Sequence, residues 1–144
     1  MLKQKKNLLF VILSSFIIFF VSLKLADLFL QKKFGLGKPL IYENSRLYGY
    51  KLKPNQDLTR RGNKININNL GMRSSRDWIN NSENKIIFFG DSVSFGGSVV
   101  SNKDLFSEKI CNQLNRIQEN FLCGNLAVNG YNLYSIIRSI KYKN

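Results

Sequence analysis

An N-terminal apolar run constrains the fold of this chain more than any other feature. Sixteen uncharged residues, LLFVILSSFIIFFVSL, extend from Leu8 to Leu23, and apolar residues resume after Lys24 and continue to Leu30. A helix needs about 20 residues to cross the hydrocarbon core of a bilayer. The stretch from Leu8 to Leu30 meets that length if the Lys24 side chain extends toward the headgroups. The sequence therefore predicts a transmembrane helix over 8–30.

A cleaved signal peptide also has a basic start and an apolar stretch, but it ends in small residues at its cleavage site. The segment SLKLADLFLQKK, residues 22–33, has no such pair of small residues. We favour an uncleaved signal anchor over a cleaved signal, and both over a buried soluble helix. Three lysines precede the run and only Lys32 and Lys33 follow it closely. This bias predicts a single-pass membrane protein whose body lies on the extracytoplasmic, periplasmic side.

Charge and residue counts exclude several functions. The chain has 22 Lys and Arg against 9 Asp and Glu, and the excess is concentrated around the apolar run. A nucleic-acid binder carries its basic residues on a folded module, so we predict no nucleic-acid partner. The chain has no histidine and two cysteines, which excludes histidine-ligated metal, a four-cysteine zinc site and any Ser-His pair supplied by this chain alone. We predict no metal and no cofactor.

The remaining sequence divides into segments of different character. Residues 31–38, QKKFGLGK, form a lysine-rich and glycine-containing linker, and the alternation Lys64-Ile65-Asn66-Ile67-Asn68 is typical of short strands. Asn80 to Asn84 is a polar turn. The predicted organisation is a basic tail at 1–7, the transmembrane anchor at 8–30, the linker at 31–38, a β-rich lead-in at 39–84 and an α/β domain at 85–144.

The last 60 residues alternate between strand and helix patterns. The apolar run from Lys85 to Phe89 is typical of a strand buried on both faces. A helix is predicted from Lys103 to about Arg116, capped by Ser101 or Asn102, and its apolar stripe consists of Phe106, Ile110 and Leu114. An apolar strand at 121–128 and a helix from Leu133 to Lys141 follow. This order indicates an α/β fold with a parallel sheet.

Gly90, Asp91 and Ser92 directly follow the first of these strands. Open α/β sheets bind ligands outside the carboxyl ends of their strands. A glycine lets the chain turn there, and a serine just before a helix exposes its hydroxyl among backbone N–H groups. The alternative is a plain turn, since all three residue types are common in turns.

Several further segments of the sequence favour a functional site at Ser92 over a plain turn. The chain resembles the SGNH/GDSL hydrolase family in its membrane-anchored bacterial form, with the catalytic block IIFFGDSVSFG at 86–96. The other similar segments are YGYKLKPN at 48–55, INNLGMR at 67–73 and NLAVNGY at 125–131. The resemblance implies the start of a flavodoxin-like parallel-sheet domain that cleaves or transfers esters of cell-surface glycans or lipids.

The resemblance also implies residue roles. Ser92 matches the nucleophile that forms an acyl-enzyme, and the backbone N–H groups of Ser92 and Gly130 match oxyanion-hole donors. Gly130 also fits a turn that ends a strand. We expect Gly90 and Asp91 to organise the loop, with the Asp91 carboxylate accepting backbone hydrogen bonds.

The chain departs from the family after Gly130. Neither the Gly-x-Asn-Asp block nor the Asp-x-x-His block is present, so Ser92 has no general base. We expect a truncated family member that is inactive as this chain alone. The alternative is a non-catalytic, membrane-anchored binding or assembly protein.

The two cysteines lie on neighbouring predicted elements. Cys111 falls on the helix after the Ser92 loop and Cys123 in the following strand. A strand-helix crossover can bring them together, and an extracytoplasmic body permits oxidation. A disulfide and two separate buried thiols both remain open at this point.

Overall fold

The computed structural model describes residues 2–79, 84–118 and 120–143. The predicted polar turn at 80–84 therefore lies outside the described residues, except for Asn84, which begins a strand. The elements are α1 (Leu2–Phe34), β1 (Tyr42–Ser45), β2 (Gly49–Leu52), β3 (Gln56–Arg60), β4 (Asn63–Ile67), β5 (Asn84–Phe88), α2 (Ser92–Phe95), a 3-10 turn (Asn102–Asp104), α3 (Phe106–Ile117), β6 (Phe121–Asn125) and α4 (Leu133–Lys143).

Helix α1 is long and apolar enough to cross a membrane. It runs for 33 residues, and the large apolar side chains from Leu8 to Leu30 are exposed because no other part of the described chain covers them. The helix continues to Phe34, through the first half of the predicted linker. Gln31, Lys32 and Lys33 all favour helix, and the helix ends only at Gly35, whose φ is +65°.

Two antiparallel hairpins occupy the segment that was predicted to be rich in strands. Strand β1 pairs with β2, and β3 pairs with β4 in a register that places Gln56 opposite Ile67 and Arg60 opposite Asn63. The two-residue turn between β3 and β4 consists of Arg61 and Gly62, both with positive φ. This is the geometry of a type I′ hairpin turn, which matches the twist of the flanking strands.

Strands β5 and β6 form a parallel pair, as the alternating pattern predicted. Their register runs from Asn84 opposite Phe121 to Phe88 opposite Asn125, and α3 makes the crossover and packs against β6. The described chain is thus mixed α/β, with an N-terminal apolar helix and three small two-stranded ladders of which one is parallel. Helix α4 follows at the end.

The predicted start of the helix after the Ser92 loop is wrong. A 3-10 turn occupies Asn102–Asp104 and α3 begins only at Phe106. Asn102 does not cap the helix, because its Oδ1 accepts from the Asn66 N–H at 3.2 Å and its Nδ2 donates to the Asn66 carbonyl at 2.9 Å. Long-range bonds to β4 therefore replace the local cap that the sequence favoured.

Helix α3 is also rotated relative to its apolar stripe. Phe106 and Ile110 are 42% and 38% exposed, whereas Ser107 and Cys111 are buried. Cys111 is bonded to Cys123 in a disulfide, with the two Cα atoms 5.8 Å apart. The cross-link joins α3 to β6 and accounts for the face that α3 buries.

The lead-in and the α/β unit share their hydrophobic core. One cluster of buried side chains joins the hairpins to the Ser92 region and contains Leu52, Ile65, Ile67, Phe95 and Ala127. A second cluster contains Met72, Trp78, Leu122 and Leu126. The hairpins therefore pack directly against the segments that carry the candidate site.

Candidate functional site

Ser92 is the first residue of the short helix α2, which directly follows β5. Asp91 is the N-cap of this helix, and its Oδ1 accepts a 3.0 Å hydrogen bond from the Val93 N–H. The Ser92 side chain is exposed, and its Oγ has no hydrogen-bond partner among the described residues. At the other end of the helix, Gly96 has a φ of +77° and its N–H donates to the Ser92 carbonyl. The loop thus presents a free hydroxyl at the surface.

Position 90 has no room for a side chain, so a glycine is required there. A Cβ on this residue would lie 2.2 Å from Ser94 Oγ and 2.4 Å from Ser94 Cβ. Its φ is not positive, so the conformational freedom that we expected of this glycine is not what the structure uses. Any side chain here would push α2, and with it Ser92, away from the end of β5.

The loop that carries Ser92 and the segment that leads to Gly130 lie side by side. Hydrogen bonds of the parallel ladder continue past the strand ends, from the Leu126 N–H to the Phe88 carbonyl at 2.7 Å and from the Val128 N–H to the Gly90 carbonyl at 3.2 Å. The buried Asn125 side chain adds a 2.7 Å bond from its Nδ2 to the Ser94 carbonyl. The carboxyl ends of β5 and β6 therefore meet at one edge.

Gly130 lies in the turn after β6 and has a φ of +82°. In the described part of the chain, no acceptor is bonded to its backbone N–H. A Cβ on Gly130 would lie 2.7 Å from Tyr50 Oη, which itself donates to the Asn129 carbonyl at 2.7 Å. Gly130 is therefore a turn residue that also leaves its N–H available to a ligand.

A cluster of tyrosines from the first hairpin holds this turn. The Tyr131 hydroxyl donates to the Tyr50 carbonyl, and the two rings meet edge to face with centroids 5.4 Å apart. Tyr48 and Tyr42 extend the cluster against Tyr131 and Tyr50, respectively. Burial raises the pKa of Tyr131 well above its usual range, since an ionised phenolate here would lose its hydration.

Arg73 joins the end of the second hairpin to β6 and to the end of α2, and sequence reasoning missed it. Its backbone N–H donates to the Asn125 carbonyl at 2.8 Å, and its backbone also forms an isolated bridge to Ile67. Its guanidinium is fully buried and lies over the Phe95 ring, 4.7 Å from the centroid. Arg73 therefore contacts β4, β6 and the end of α2 at once.

The Arg73 guanidinium also binds the loop that follows α2. Nη1 donates to the Phe95 carbonyl at 2.6 Å and to the Gly97 carbonyl at 2.7 Å, Nη2 donates to the Val100 carbonyl, and Nε donates to Asn102 Oδ1 at 3.1 Å. These acceptors carry no formal charge. Burial lowers the pKa of Arg73 to about 10, which leaves it a cation at neutral pH.

Little in the sequence indicates this role. Arg73 ends the segment INNLGMR, which resembles the family lead-in, but charged residues are rarely fully buried. The one signal in the sequence is its position directly after Met72, at the end of a short stretch in which apolar residues alternate. Only the fold shows that three loop carbonyls converge on this side chain.

The sequence contains no histidine that could accept a proton from Ser92. A polar cleft of about 540 Å³ lies elsewhere, between β4 and the 3-10 turn, and is lined by Asn66, Ser75 and Asn102 among others but not by Ser92 or Gly130. Among the described residues, no three His, Cys, Asp or Glu side chains are arranged to hold a metal ion. The arrangement presents a hydroxyl and an N–H donor, and within the described residues no base is hydrogen-bonded to the hydroxyl.

Comparison with known proteins adds no family assignment. No protein-family model, no curated protein and no solved structure matches this chain. The resemblance to SGNH/GDSL hydrolases thus rests on the motifs alone and stays a prediction.

Proposed function

We propose that this chain is the membrane-anchored N-terminal part of an SGNH/GDSL-type ester hydrolase or acyl-transfer protein. In this proposal Ser92 is the nucleophile, and the backbone N–H groups of Ser92 and Gly130 stabilise the oxyanion of an ester substrate. The substrates are esters of cell-surface glycans or lipids. The start of a flavodoxin-like domain belongs to the same proposal.

One observation carries the proposal. The 3.2 Å hydrogen bond between the Val128 N–H and the Gly90 carbonyl holds the Ser92 loop beside the turn that contains Gly130. An acyl-transfer site needs a hydroxyl and preorganised N–H donors at one edge, and one such donor contributes about 3 to 4 kcal/mol to transition-state stabilisation. Both groups are unpaired in the described chain, so they are available to a substrate.

The proposed reaction needs a base that this sequence does not contain. A serine hydroxyl is a weak nucleophile without a partner that accepts its proton. In the proposal an Asp-x-x-His block from another polypeptide segment supplies the histidine and its orienting acid. The chain alone therefore binds the ester carbonyl but does not turn it over.

A fusion experiment tests this proposal. A segment with Gly-x-Asn-Asp and Asp-x-x-His blocks, joined after Asn144, should restore hydrolysis of a short-chain aryl ester, and Ser92→Ala in the same fusion should abolish it. Ser94→Ala in the fusion is the matched serine control and should keep activity, because Ser94 lies on the helix face that packs against Gly90. A folded fusion without Ser92-dependent turnover would contradict the proposal.

A non-catalytic binding or assembly protein is the second candidate, and one observation favours it. Helix α4 exposes an apolar face formed by Leu133, Ile137 and Ile140, which are 72%, 54% and 43% exposed. Exposed apolar surface of this kind marks an interaction site or a face that further structure covers. The fusion experiment separates the two candidates, because only the enzyme regains Ser92-dependent activity.

We also propose a single-pass topology with the body on the periplasmic side. The bonded pair of Cys111 and Cys123 supports this side, because disulfides persist in oxidising compartments. Carbonate extraction of expressing cells should leave the full-length chain in the membrane, and protease added to spheroplasts should digest the body. Release of full-length protein by carbonate, or an N-terminus mapped after Leu30, would contradict the anchor.

A further inference from the structure

The end of α1 and the tip of the β3–β4 hairpin form one continuous surface. The Arg61 N–H donates to the Phe34 carbonyl at 2.7 Å. Gly35 is buried against the hairpin, and a Cβ on it would lie 1.4 Å from the Thr59 carbonyl oxygen. Only glycine permits this close approach. The hairpin tip is therefore fixed to the point where the apolar helix ends.

This surface is strongly cationic. We name it the cationic cradle and define it by six residues, Lys32, Lys33, Lys38, Arg60, Arg61 and Lys64. One carboxylate accompanies them, that of Asp57, which lies 3.4 Å from Lys64 Nζ in an exposed ion pair. Arg60 Nη1 donates to the Lys38 carbonyl at 3.0 Å and closes the cradle at its linker side.

The cradle encloses a cleft. Its volume is about 370 Å³, and its lining residues include Lys32, Lys38 and Lys64, together with Thr59 and the acidic Asp57. Lys32 and Lys38 are exposed, so their ammonium groups remain available to an anion, whereas Lys64 Nζ is shared with the Asp57 carboxylate. A hydroxyl and several ammonium groups around one cleft match the hydrogen-bonding needs of a phosphate group.

Helix α1 sets the height of the cradle relative to a bilayer. The apolar stretch ends at Leu30, and Phe34 lies about 6 Å farther along the axis at the rise of an α-helix. Leu36, 52% exposed, lies beside the cradle. Lys33 Nζ lies over the Phe29 and Phe34 rings, 5.4 Å and 5.5 Å from their centroids. Mixed apolar and cationic groups just beyond a membrane span lie at the level of the headgroups.

We propose that the cationic cradle binds the phosphate of an anionic phospholipid headgroup and thereby holds the body against the membrane surface. The bilayer places lipid phosphates at the level of the cradle, at a far higher local concentration than any soluble phosphate ester. The inference is independent of the proposed ester chemistry, and its test does not use Ser92.

The test uses the full-length chain in a neutral detergent. Phosphatidylglycerol with a fluorophore on an acyl chain is titrated with the protein, and binding is followed by anisotropy against the same label on phosphatidylcholine. The expected result is tighter binding of phosphatidylglycerol. The variant Lys38→Gln/Arg61→Gln/Lys64→Gln should bind it at least about fivefold more weakly, from the contribution of even one cation near an anionic lipid.

Two matched variants separate the cradle from general charge and from misfolding. Lys109→Gln/Arg116→Gln/Lys141→Gln removes three exposed cations from α3 and α4 and should keep the wild-type affinity. The swap variant Lys38→Arg/Arg61→Lys/Lys64→Arg keeps every cradle charge and should bind like the wild type.

Each contrary result overturns the assignment. Equal binding of the two lipids would show that the protein does not recognise the anionic headgroup. Equal losses of affinity in the cradle and control variants would show non-specific electrostatic attraction between the cationic protein and the lipid. Displacement of the labelled lipid by millimolar inorganic phosphate, but not by unlabelled phosphatidylglycerol, would show a site for soluble phosphate.

Discussion

The guanidinium of Arg73 donates a 2.6 Å hydrogen bond to the backbone carbonyl of Phe95, the last residue of the helix that begins at Ser92. Phe95 is itself fully buried beneath that guanidinium. A cation at the carboxyl end of a helix is favourable because it faces the partial negative charge of the last carbonyls. Arg73, whose backbone bridges to Ile67 at the end of β4, thus helps to fix the position of the helix that carries the candidate nucleophile.

Replacing Arg73 should destabilise the body. In Arg73→Met the carbonyls of Phe95, Gly97 and Val100 lose their donor, and we expect a loss of about 3 kcal/mol or more, since each buried unsatisfied group costs about 1 to 3 kcal/mol. Trp78 is the only tryptophan and is buried, so urea unfolding followed by its emission reports on the body. Exposed Arg76→Met is the control and should change the free energy of unfolding by about 0.5 kcal/mol at most. Equal midpoints for the two variants would contradict the role of Arg73.

Gly130→Ala should cost more stability than Gly62→Ala. Both glycines have positive φ, +82° and +78°, and alanine in that region costs about 1 to 2 kcal/mol. A Cβ at Gly62 meets nothing within 4 Å, whereas one at Gly130 meets Tyr50 Oη at 2.7 Å. Adding Tyr50→Phe should therefore recover about 1 kcal/mol of the Gly130→Ala loss in a double-mutant cycle. Strict additivity in that cycle would show that the hydroxyl does not limit the space.

Reduction of the disulfide should weaken the body. The bond between Cys111 and Cys123 closes a short loop, and a loop of about 15 residues contributes about 3 kcal/mol in the chain-entropy model. We expect no alkylation of the freshly isolated protein before reductant is added, two alkylated thiols afterwards, and a lower urea midpoint for Cys111→Ser/Cys123→Ser. Two reactive thiols without reductant would disprove the pairing in the isolated protein.

Stability should fall as the pH rises above about 10, the ordinary pKa of tyrosine. Tyr131 keeps its proton in the folded state because burial raises its pKa, whereas the unfolded chain releases it near pH 10. In that pH range the folded chain therefore binds more protons than the unfolded chain. The free energy of unfolding keeps its full value below pH 10 and declines above it. The decrease in urea midpoint from pH 8 to pH 11 should be smaller in Tyr131→Phe than in the wild type. Tyr134→Phe, at an exposed position, should show the wild-type decrease.

The chain by itself should show no Ser92-dependent ester hydrolysis. Full-length protein in neutral detergent and its Ser92→Ala variant should hydrolyse a short-chain aryl ester at the same rate, a ratio of about 1, because no base activates the hydroxyl. Stopped assays at several protein concentrations check this ratio. Turnover that disappears in Ser92→Ala would mean that a residue other than histidine accepts the proton.

Local patterns predicted the elements that depend on local chemistry. The apolar run around Leu8 to Leu30 predicted α1, and the runs before Gly90 and Asn129 predicted the parallel pair β5 and β6. Turn chemistry gave the placement of Ser92 at a strand end, because Gly, Asp and Ser break a buried strand in a recognisable way. The helical periodicity around Phe106 predicted the wrong buried face and the wrong start for α3. The disulfide sets the rotation of the helix, and the contacts of Asn102 set its start.

The sequence by itself determined an apolar helix, a strand-rich lead-in and an alternating α/β segment whose first loop carries Ser92. It did so because period and turn residues act over a few positions. Only the tertiary structure decided that Arg73 and Tyr50, from the lead-in, hold the two loops of the candidate site. Each of these contacts spans more than 20 residues of chain. A buried cation bound to carbonyls and a hydroxyl bound to a distant turn leave no local pattern, because their partners are chosen by the packing of the hairpins.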